Sequence, residues 1–434
     1  MSNMSKNQWV YLRNALKKLI ASDASSNQFI KKQLTAKKLL PPIFFHIKQR
    51  LFPFLNMKLM SSESFINWWV NYSHASSPYK EKSIPDLYPE LVSMVNDFVK
   101  TESFKNTSEL WKYLAKCHIE LLYEHGIGNF KQTIGSHSYE GMLSPDSILL
   151  EPIINDKISI LVDSNQIFKK HDYYTLKDSI GFNIGTFMML NYVINNCKIP
   201  LELVEESSFG NPTCVNYSGY SIAPAVLYSI MEIEFIMKHI EIPKNSTILE
   251  IGAGSGRVCI SMLKVIDTIN KYIIVDIPPA LYISQCAVIH NFPEKRIFKF
   301  RPFLSFAEHK EEYDSADVVF ISLEQLQFLP ENSVHLSIAI DCLHEMEFDM
   351  IEQYFNHFDR LSKFLYFKCQ IEQWAKTSKI NLEMDNYPVK EHWYELKKEK
   401  CCIPNTYFHA IYALEFDYLK NHDDHLVGEE TSLN

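Results

Sequence analysis

Residues 246–258 read Ser-Thr-Ile-Leu-Glu-Ile-Gly-Ala-Gly-Ser-Gly-Arg-Val, and residues 272–276 read Tyr-Ile-Ile-Val-Asp. An apolar run of strand length meets a glycine cluster, residues of helical period follow, and a second apolar run ends in an acid. This order predicts a β-loop-α-β unit. The first strand is predicted from Thr247 to Ile251, and the paired prolines Pro278 and Pro279 suit the first turn of a helix. Further strands are predicted at 296–300, 317–321, 364–368, 392–396 and 407–414, and a helix is predicted from Asp349 to Ser362. Because strand-like runs alternate with helical patterns, we expect an α/β domain with a mostly parallel sheet.

The glycine cluster has the composition of a ligand-binding loop. The chain has only 12 glycines in 434 residues, yet Gly252, Gly254 and Gly256 fall within five positions. Glycines this close let the backbone turn sharply and bring a ligand against bare main chain at a helix N-terminus. A dinucleotide-binding loop would need its third glycine at position 257, which is Arg257. The spacing therefore argues against a dinucleotide.

Two acids flank this loop. Glu250 lies just before it, near the end of the first strand, where a carboxylate can accept from an ammonium group but would repel a pyrophosphate. Asp276 closes the second strand, where an acid can accept both hydroxyls of a ribose. A nucleoside that carries an amino acid fits both positions.

Together these residues resemble motifs I and II of the class I S-adenosylmethionine-dependent methyltransferases. The resemblance implies a Rossmann-like fold and S-adenosyl-L-methionine as the cofactor. In that family Glu250 and the three glycines would cradle the methionine moiety and Asp276 would bind the ribose. The loop after the third strand would meet adenine, with Glu324 or Gln325 at its amino group and Leu326 against the ring. The predicted cofactor-binding residues are Glu250, Gly252, Gly254, Gly256, Asp276, Ile277, Gln325, Leu326 and Asp341.

The predicted fourth strand ends in a turn that could supply the catalytic groups. It reads Asp341-Cys-Leu-His344-Glu345, and ligands of parallel sheets bind at the carboxyl ends of the strands. For a hydroxyl acceptor, His344 is the predicted base, with Glu345 or Asp341 to orient it. The alternative is that His344 caps the next helix or bonds to backbone. The same three side chains could instead bind a divalent metal ion. Ligands so close in sequence rarely surround one ion without further ligands from distant residues, so we expect no metal.

A finer resemblance covers roughly residues 205–415. The stretches Asp276-Ile-Pro-Pro-Ala-Leu281 and His344-Glu-Met346, together with the glycine motif, are similar to bacterial proteins grouped as sugar O-methyltransferases. This implies methylation of a sugar hydroxyl in surface polysaccharide or glycan biosynthesis. Two alternatives stay open at this point. One is a methyltransferase that acts on oxygen, nitrogen or carbon of a non-sugar small molecule, and the other is a cofactor-binding scaffold without turnover.

The length of the chain predicts more than one domain. We expect a basic apolar segment at 1–60, a helical domain at 61–205 for substrate binding or oligomerisation, the cofactor-binding domain at 206–420 and a flexible tail at 421–434. Nine scattered cysteines without paired C-x-x-C spacing indicate reduced thiols and no zinc site. No apolar run is long enough to span a membrane, and no signal-peptide pattern opens the chain. A cytoplasmic protein is therefore expected.

Charge is unevenly distributed. Residues 1–60 hold eleven of the 43 Lys and Arg but only one of the 52 Asp and Glu, so the rest of the chain is strongly acidic. An acidic body argues against nucleic-acid binding. The basic segment could attach to anionic lipid at the inner face of a membrane, or pack on the acidic body of the same chain or of a second subunit in a homodimer. The expected small-molecule partner is a sugar or another small acceptor.

Two aromatic pairs have ambiguous roles. Trp68 and Trp69 are adjacent on a predicted helix, where neighbouring side chains diverge by roughly 100°, so we expect at least one of them in the core. Tyr217 and Tyr220 lie in a turn-rich stretch before the cofactor-binding unit. The family resemblance suggests that this stretch folds over the cofactor, with the two tyrosines as lids.

Overall fold

The computed structural model describes residues 60–73, 84–134, 186, 189–303, 305–371 and 382–414. Three predicted parts lie wholly or partly outside the described residues. They are the segment 1–60 apart from Met60, the tail 421–434, and residues 74–83 and 135–185 of the helical domain 61–205. None of the described helices has both the length and the hydropathy that crossing a bilayer requires.

The first described part of the chain is helical. Its helices are α1 (Ser62–Ser73), α2 (Ile84–Leu87), α3 (Pro89–Phe98), α4 (Glu102–Asn106), α5 (Glu109–His125) and α6 (Phe130–Thr133), and residues 189–196 are helical as well. Thr101 and Ser108 start α4 and α5, because their hydroxyls accept the N–H groups of Phe104 and Trp111. Trp69 is buried in the core of these helices at 2% exposure, as expected for one of the tryptophan pair.

Ten strands follow. The first two, β1 (Val215–Tyr217) and β2 (Tyr220–Ile222), form a separate hairpin. The other eight form one sheet in the order β5-β6-β4-β3-β7-β8-β10-β9. They are β3 (Ser246–Ile251), β4 (Ile269–Val275), β5 (Ile297–Phe298), β6 (Val318–Ile321), β7 (Val334–Ile340), β8 (Ser362–Gln370), β9 (Tyr394–Lys400) and β10 (Tyr407–Ala413).

The sheet is mostly parallel. All pairs from β5 to β8 along the sheet are parallel, whereas β10 pairs antiparallel with both β8 and β9. The central strands are apolar on both faces because helices cover both sides, which is typical of parallel sheets. The predicted fold class, a Rossmann-like α/β domain preceded by helices, is confirmed.

Helices lie on both faces of the sheet. They are α7 (Pro224–His239), α8 (Arg257–Val265), α9 (Ala280–Asn291), α10 (Lys310–Ser315) and α11 (Phe348–Leu361). Side chains of α7, α8 and α9 share one core with Ile248 of β3, and side chains of α11 share the other with Leu249. Successive residues of a strand point to opposite faces, so Glu250 points toward the layer of α7 and α8.

Three predicted boundaries are corrected. The strand predicted at 296–300 is reduced to β5, and the strand predicted at 392–396 is shifted to β9, where Lys400 pairs with Phe408 of β10. The indole of Trp393, just before β9, instead donates to Asp359 of α11. The paired prolines do not form the first turn of a helix, because Pro279 is the residue that precedes α9.

The helical part packs against the α/β part near α9. Glu90 of α3 accepts from Gln285 of α9 at 2.9 Å and pairs with Lys299 at 2.7 Å. Tyr282 of α9 belongs to the core of the N-terminal helices. The two parts therefore share apolar packing as well as polar contacts.

Candidate functional site

The loop between β3 and α8 turns through three left-handed glycines. Gly252, Gly254 and Gly256 have φ values of 68°, 59° and 77°, which other residues rarely adopt. A Cβ added at Gly252 would also lie 2.6 Å from Cβ of Cys342, in the turn after β7. Only glycine lets this loop pass so close to the end of β7.

Asp276 ends β4 beside this loop. Its two carboxylate oxygens accept from the backbone N–H groups of Gly254 at 2.9 Å and Ile277 at 2.8 Å. Burial raises the pKa of Asp276 to about 7, although these two N–H groups act in the opposite direction. The clamp fixes the carboxylate at the carboxyl end of the strand. Ile277 contributes its N–H to this clamp.

Glu250 lies on the α7 and α8 side of β3, with 2% of its surface exposed. One of its carboxylate oxygens accepts from the hydroxyl of Tyr272 at 2.8 Å. Burial raises the pKa of Glu250 to about 7, and the hydroxyl of Tyr272 and the charge of Arg257 oppose that shift. The predicted contact of Glu250 with an ammonium group stays a prediction.

The turn after β7 meets the glycine loop where the strand order reverses. In the sheet, β3 lies between β4 and β7, and the chain leaves β3 first toward β4 and later returns to β7. Crevices at such a switch point are where α/β sheets bind ligands. The thiol of Cys342 donates to the carbonyl of Ile251 at 3.3 Å, which joins the two strand ends. The glycine loop and the turn therefore form one site.

Asp341, the first residue of this turn, is held on both its backbone and its side chain. It has φ of +57°, a conformation that is uncommon outside glycine and is found at functional sites. Its N–H donates to the carbonyl of Lys368 at 2.8 Å, and its Oδ1 accepts from the hydroxyl of Tyr407 at 2.6 Å. The same oxygen lies 3.5 Å from Nε2 of His344.

His344 and Glu345 lie in the short 3-10 helix that follows, Leu343–Glu345. His344 is buried at 2% exposure, and this burial lowers its pKa against the opposing charge of Asp341, so its imidazole is neutral at neutral pH. Burial and the charge of Asp341 raise the pKa of Glu345 to about 8. Trp111 of α5 donates its indole N–H to Oε2 of Glu345 at 3.0 Å, and this bond lowers the pKa. The structure thus brings both predicted catalytic residues next to Asp341.

The predicted adenine contacts of Gln325 and Leu326 stay predictions, and the structure shows what these side chains contact within the protein. Oε1 of Gln325 accepts from the N–H of Ser322 at 2.9 Å and its Nε2 donates to the carbonyl of Arg301 at 2.8 Å, so the amide stabilises its own turn. Leu326 is fully buried in the core. Glu324, the other candidate, accepts from the N–H of Ser103 with Oε1, while its buried Oε2 has no partner among the described residues.

A buried charge cluster beneath the site was missed. Glu232 of α7 pairs with Arg257 at 2.5 Å and with Lys368 of β8 at 2.8 Å. Burial alone would raise the pKa of Glu232, but its two cations and their hydrogen bonds lower it overall. The available sequence signal was a glutamate inside the long apolar run of α7 and a lysine inside the apolar strand β8. Tyr407 was also missed as a partner of Asp341.

Two other predictions concern lids and metals. Tyr217 and Tyr220 face each other across the β1–β2 hairpin and pack against the core that contains α7, and their role as lids stays a prediction. Within the described ranges, no group of three or more His, Cys, Asp or Glu side chains is arranged to hold a metal ion.

Comparisons with known proteins give low similarity. No protein-family model matches the chain, and no curated protein matches it. Among solved structures, it is similar to an S-adenosylmethionine-dependent methyltransferase from Aquifex aeolicus, at 14% identity and a TM-score of 0.26, over 42% of this chain and 89% of that one. It is similar also to the mitomycin 7-O-methyltransferase MmcR, at 10% identity and a TM-score of 0.28, over 43% and 56% of the two chains. The fold assignment above rests on the strand order itself.

Proposed function

We propose that this chain is an S-adenosylmethionine-dependent methyltransferase that methylates an oxygen atom. The observation that carries the proposal is the clamp on Asp276. A partly buried carboxylate at the carboxyl end of β4 is held by the N–H groups of Gly254 and Ile277, beside a loop of left-handed glycines. This arrangement suits a ribose on Asp276 and an amino-acid moiety along the loop.

The charges around the loop fit this cofactor. Glu250, Asp276 and Asp341 all lie at the carboxyl ends of β3, β4 and β7. Carboxylates attract the positive sulfonium and ammonium groups of S-adenosylmethionine and repel the pyrophosphate of a dinucleotide. When bound, the cofactor would supply an activated methyl group. The chain's own residues then have to orient the acceptor and remove its proton.

His344 is the proposed base. Its imidazole is neutral at neutral pH because burial lowers its pKa, so it can accept the proton of an acceptor hydroxyl as the new carbon–oxygen bond forms. Asp341, 3.5 Å away, would stabilise the resulting imidazolium. Alignment of acceptor and methyl group supplies most of the remaining rate increase.

A sugar hydroxyl in surface polysaccharide or glycan biosynthesis is the acceptor that we propose. The sequence resemblance described above supports it. So does the pair of Trp111 and Glu345 beside His344, because an indole can pack on the carbon face of a sugar while carboxyl and imidazole groups bond its hydroxyls. A non-sugar acceptor is the alternative outcome of acceptor screening.

The cofactor is tested by calorimetric titration with S-adenosylhomocysteine, with NADH as a negative control. Asp276→Asn should weaken binding at least about tenfold, because the amide places N–H hydrogens against the backbone donors. Asp267→Asn is the matched control, since this exposed aspartate precedes the amino end of the same strand. Equal effects of both variants, or no binding to the unmodified protein, would overturn the cofactor proposal.

The base is tested by transfer of a labelled methyl group to sugar nucleotides. His344→Gln should keep the affinity for S-adenosylhomocysteine and lower kcat by about a hundredfold or more. His392→Gln is the control, because His392 also pairs with an aspartate, Asp359 at 2.7 Å, on the exposed surface. Unchanged turnover in His344→Gln would remove His344 as the base.

A further inference from the structure

Tyr407 reaches the candidate site from the last described strand. It is the first residue of β10 and pairs with Gln370, the last residue of β8. Because β10 runs antiparallel to β8, its first residue lies at the edge where the parallel strands end. A residue late in the chain is therefore placed next to the turn that begins at Asp341.

The hydrogen bonds of Tyr407 have a defined direction. Nε2 of Gln370 donates to the hydroxyl oxygen of Tyr407 at 3.2 Å. The hydroxyl proton is directed to Oδ1 of Asp341, 2.6 Å away, a length typical of a bond to an ionised acceptor. Gln370 thus orients Tyr407, and Tyr407 in turn holds one oxygen of Asp341.

Asp341 needs such support. Its left-handed conformation is uncommon for a residue with a Cβ. The carbonyl of Lys368 holds its N–H, and Tyr407 holds its carboxylate, so β8 and β10 together fix the residue. Both contacts come from the side of β7 on which β8 and β10 lie.

The fixed oxygen is also the one that faces His344. Oδ1 of Asp341 lies 3.5 Å from Nε2 of His344, and the ring of Tyr407 stands perpendicular to the imidazole at 5.9 Å between centroids. The side chain of Asp341 is 38% exposed, so without the hydroxyl it could turn toward solvent. Tyr407 therefore keeps a negative charge beside the imidazole.

We propose that Tyr407 is a positioning residue that acts through Asp341 to keep His344 basic enough to accept a proton. The proposal rests on the proposed function, in which His344 is the base. Other titratable groups surround Asp341 on the elements packed against it. They are Tyr228 of α7, Arg257 of α8, Cys342 and Glu345 of the same turn, Cys369 of β8, and Tyr387. Lys368, whose ammonium lies 5.9 Å from the ring centroid of Tyr407, pairs with Glu232 of α7.

The test compares Tyr407→Phe with Tyr412→Phe. Tyr412 lies on the same strand and donates to a carboxylate too, Oε2 of Glu395 at 3.0 Å, away from the turn. In Tyr407→Phe we expect kcat to fall about tenfold, the affinity for S-adenosylhomocysteine to stay within about twofold, and the acid limb of the pH profile to move to lower pH. Tyr412→Phe should change none of these.

A double variant separates positioning from a general packing effect. Once Asp341→Asn has removed the carboxylate, adding Tyr407→Phe should have little further effect on kcat, because the two residues act as a unit. Fully additive losses would overturn the proposal. Thermal unfolding of each variant identifies those that fail to fold. If Tyr407→Phe is one of them, Gln370→Leu replaces it, because this variant removes only the bond that orients the hydroxyl of Tyr407. We then expect a smaller fall in kcat in the same direction.

The pKa of His344 gives a readout that does not need turnover. Measured by nuclear magnetic resonance, it should fall by at least about 0.5 unit in Tyr407→Phe, because the charge that favours the imidazolium is no longer held nearby. An unchanged value would overturn the positioning role even if methylation is observed. If the pKa of His344 falls as expected but S-adenosylhomocysteine does not bind, the proposed function is contradicted and the positioning role is not.

Discussion

The indole N–H of Trp111 donates to Oε2 of Glu345 across 3.0 Å, although the two residues are 234 positions apart in sequence. Trp111 lies on α5 of the helical part, and Glu345 lies beside His344 at the end of β7. The helical part thus reaches the turn that carries the proposed base. The predicted role of the helical part in binding the acceptor can therefore be tested by removing this hydrogen bond.

Trp111→Phe should weaken acceptor use while leaving cofactor binding unchanged. The variant keeps an aromatic ring but loses the bond to Glu345, so we expect kcat/KM for the acceptor to fall about five- to tenfold, the equivalent of one hydrogen bond. The affinity for S-adenosylhomocysteine should stay within about twofold. Trp68→Phe is the control, because Trp68 makes the same kind of bond to Glu120 at 3.2 Å within the helical part. Equal effects of the two variants would contradict the prediction.

Stability should decrease as pH rises toward 8. Glu345 has an ordinary pKa of 4.5 that burial raises to about 8, so the folded state holds a proton that the unfolded state releases between these values. Its contribution to stability is therefore full below about pH 4.5 and is lost as pH rises through 8. Glu250 and Asp276, with pKa values raised to about 7, act in the same direction.

Glu345→Gln isolates the share of Glu345 in this pH dependence. Glutamine stays neutral and can still accept from Trp111, so the variant should gain stability relative to the unmodified protein as pH rises from about 5 to 9. Thermal unfolding across that range measures the difference, and we expect a change in Tm of a few degrees. A constant difference at all pH values would mean that Glu345 does not titrate in this range.

Glu232→Gln should be strongly destabilising. The substitution leaves Arg257 and Lys368 buried without their shared carboxylate, and loss of one partner of a buried ion pair costs about 3–5 kcal/mol. Glu234→Gln, two residues along α7 and partly exposed, should cost less than about 1 kcal/mol. Urea unfolding measures both values. Similar costs for the two variants would show that the buried cluster contributes little net stability.

Gly252→Ala should disrupt the glycine loop more than backbone strain alone explains. The added Cβ would meet Cβ of Cys342 at 2.6 Å, and φ is +68°. Gly219→Ala is the matched control, because Gly219 also has positive φ, +91°, but nothing lies within 4 Å of its added Cβ. We expect Gly219→Ala to lower stability by about 1 kcal/mol, and Gly252→Ala to lower it further and to weaken S-adenosylhomocysteine binding. Equal losses of stability in the two variants would mean that backbone strain alone explains the effect of Gly252→Ala.

The β-loop-α-β unit could be predicted because its signals are local. The predicted strand from Thr247 to Ile251 differs from β3 by one residue, and Asp276 directly follows β4 as expected. The predicted helix from Asp349 to Ser362 is α11, displaced by one residue. In each of these segments an apolar run or a 3.6-residue period determines both the type of element and its position.

A local sequence signal places Gln325 in its own turn, beside its predicted contact with adenine. Ser322 and Gln325 have the S-x-x-Q spacing of a capping box, and the structure contains that box. The spacing could have shown that the amide is engaged by its own turn. The family resemblance outweighed it, because a polar residue after the third strand also fits a contact with adenine.

The charge cluster and Tyr407 could not be predicted from local pattern. Glu232, Arg257 and Lys368 come from α7, α8 and β8, and their pairing depends on how two helices lie on the sheet. Tyr407 opens a run that was predicted as a strand. Only the antiparallel direction of that strand places it at the edge of the site, and a run of apolar residues does not reveal direction.

The bond from Tyr407 to Asp341 also has a consequence for how the protein is made. Tyr407 follows Asp341 by 66 residues, and chains emerge from the ribosome amino end first. A chain grown as far as β8 therefore contains the glycine loop and Asp276, while Asp341 still lacks its hydroxyl partner. Assembly of the base is completed only when β10 joins the sheet, so a truncated translation product that ends before Tyr407 would keep the proposed cofactor-binding elements without a fully formed catalytic turn.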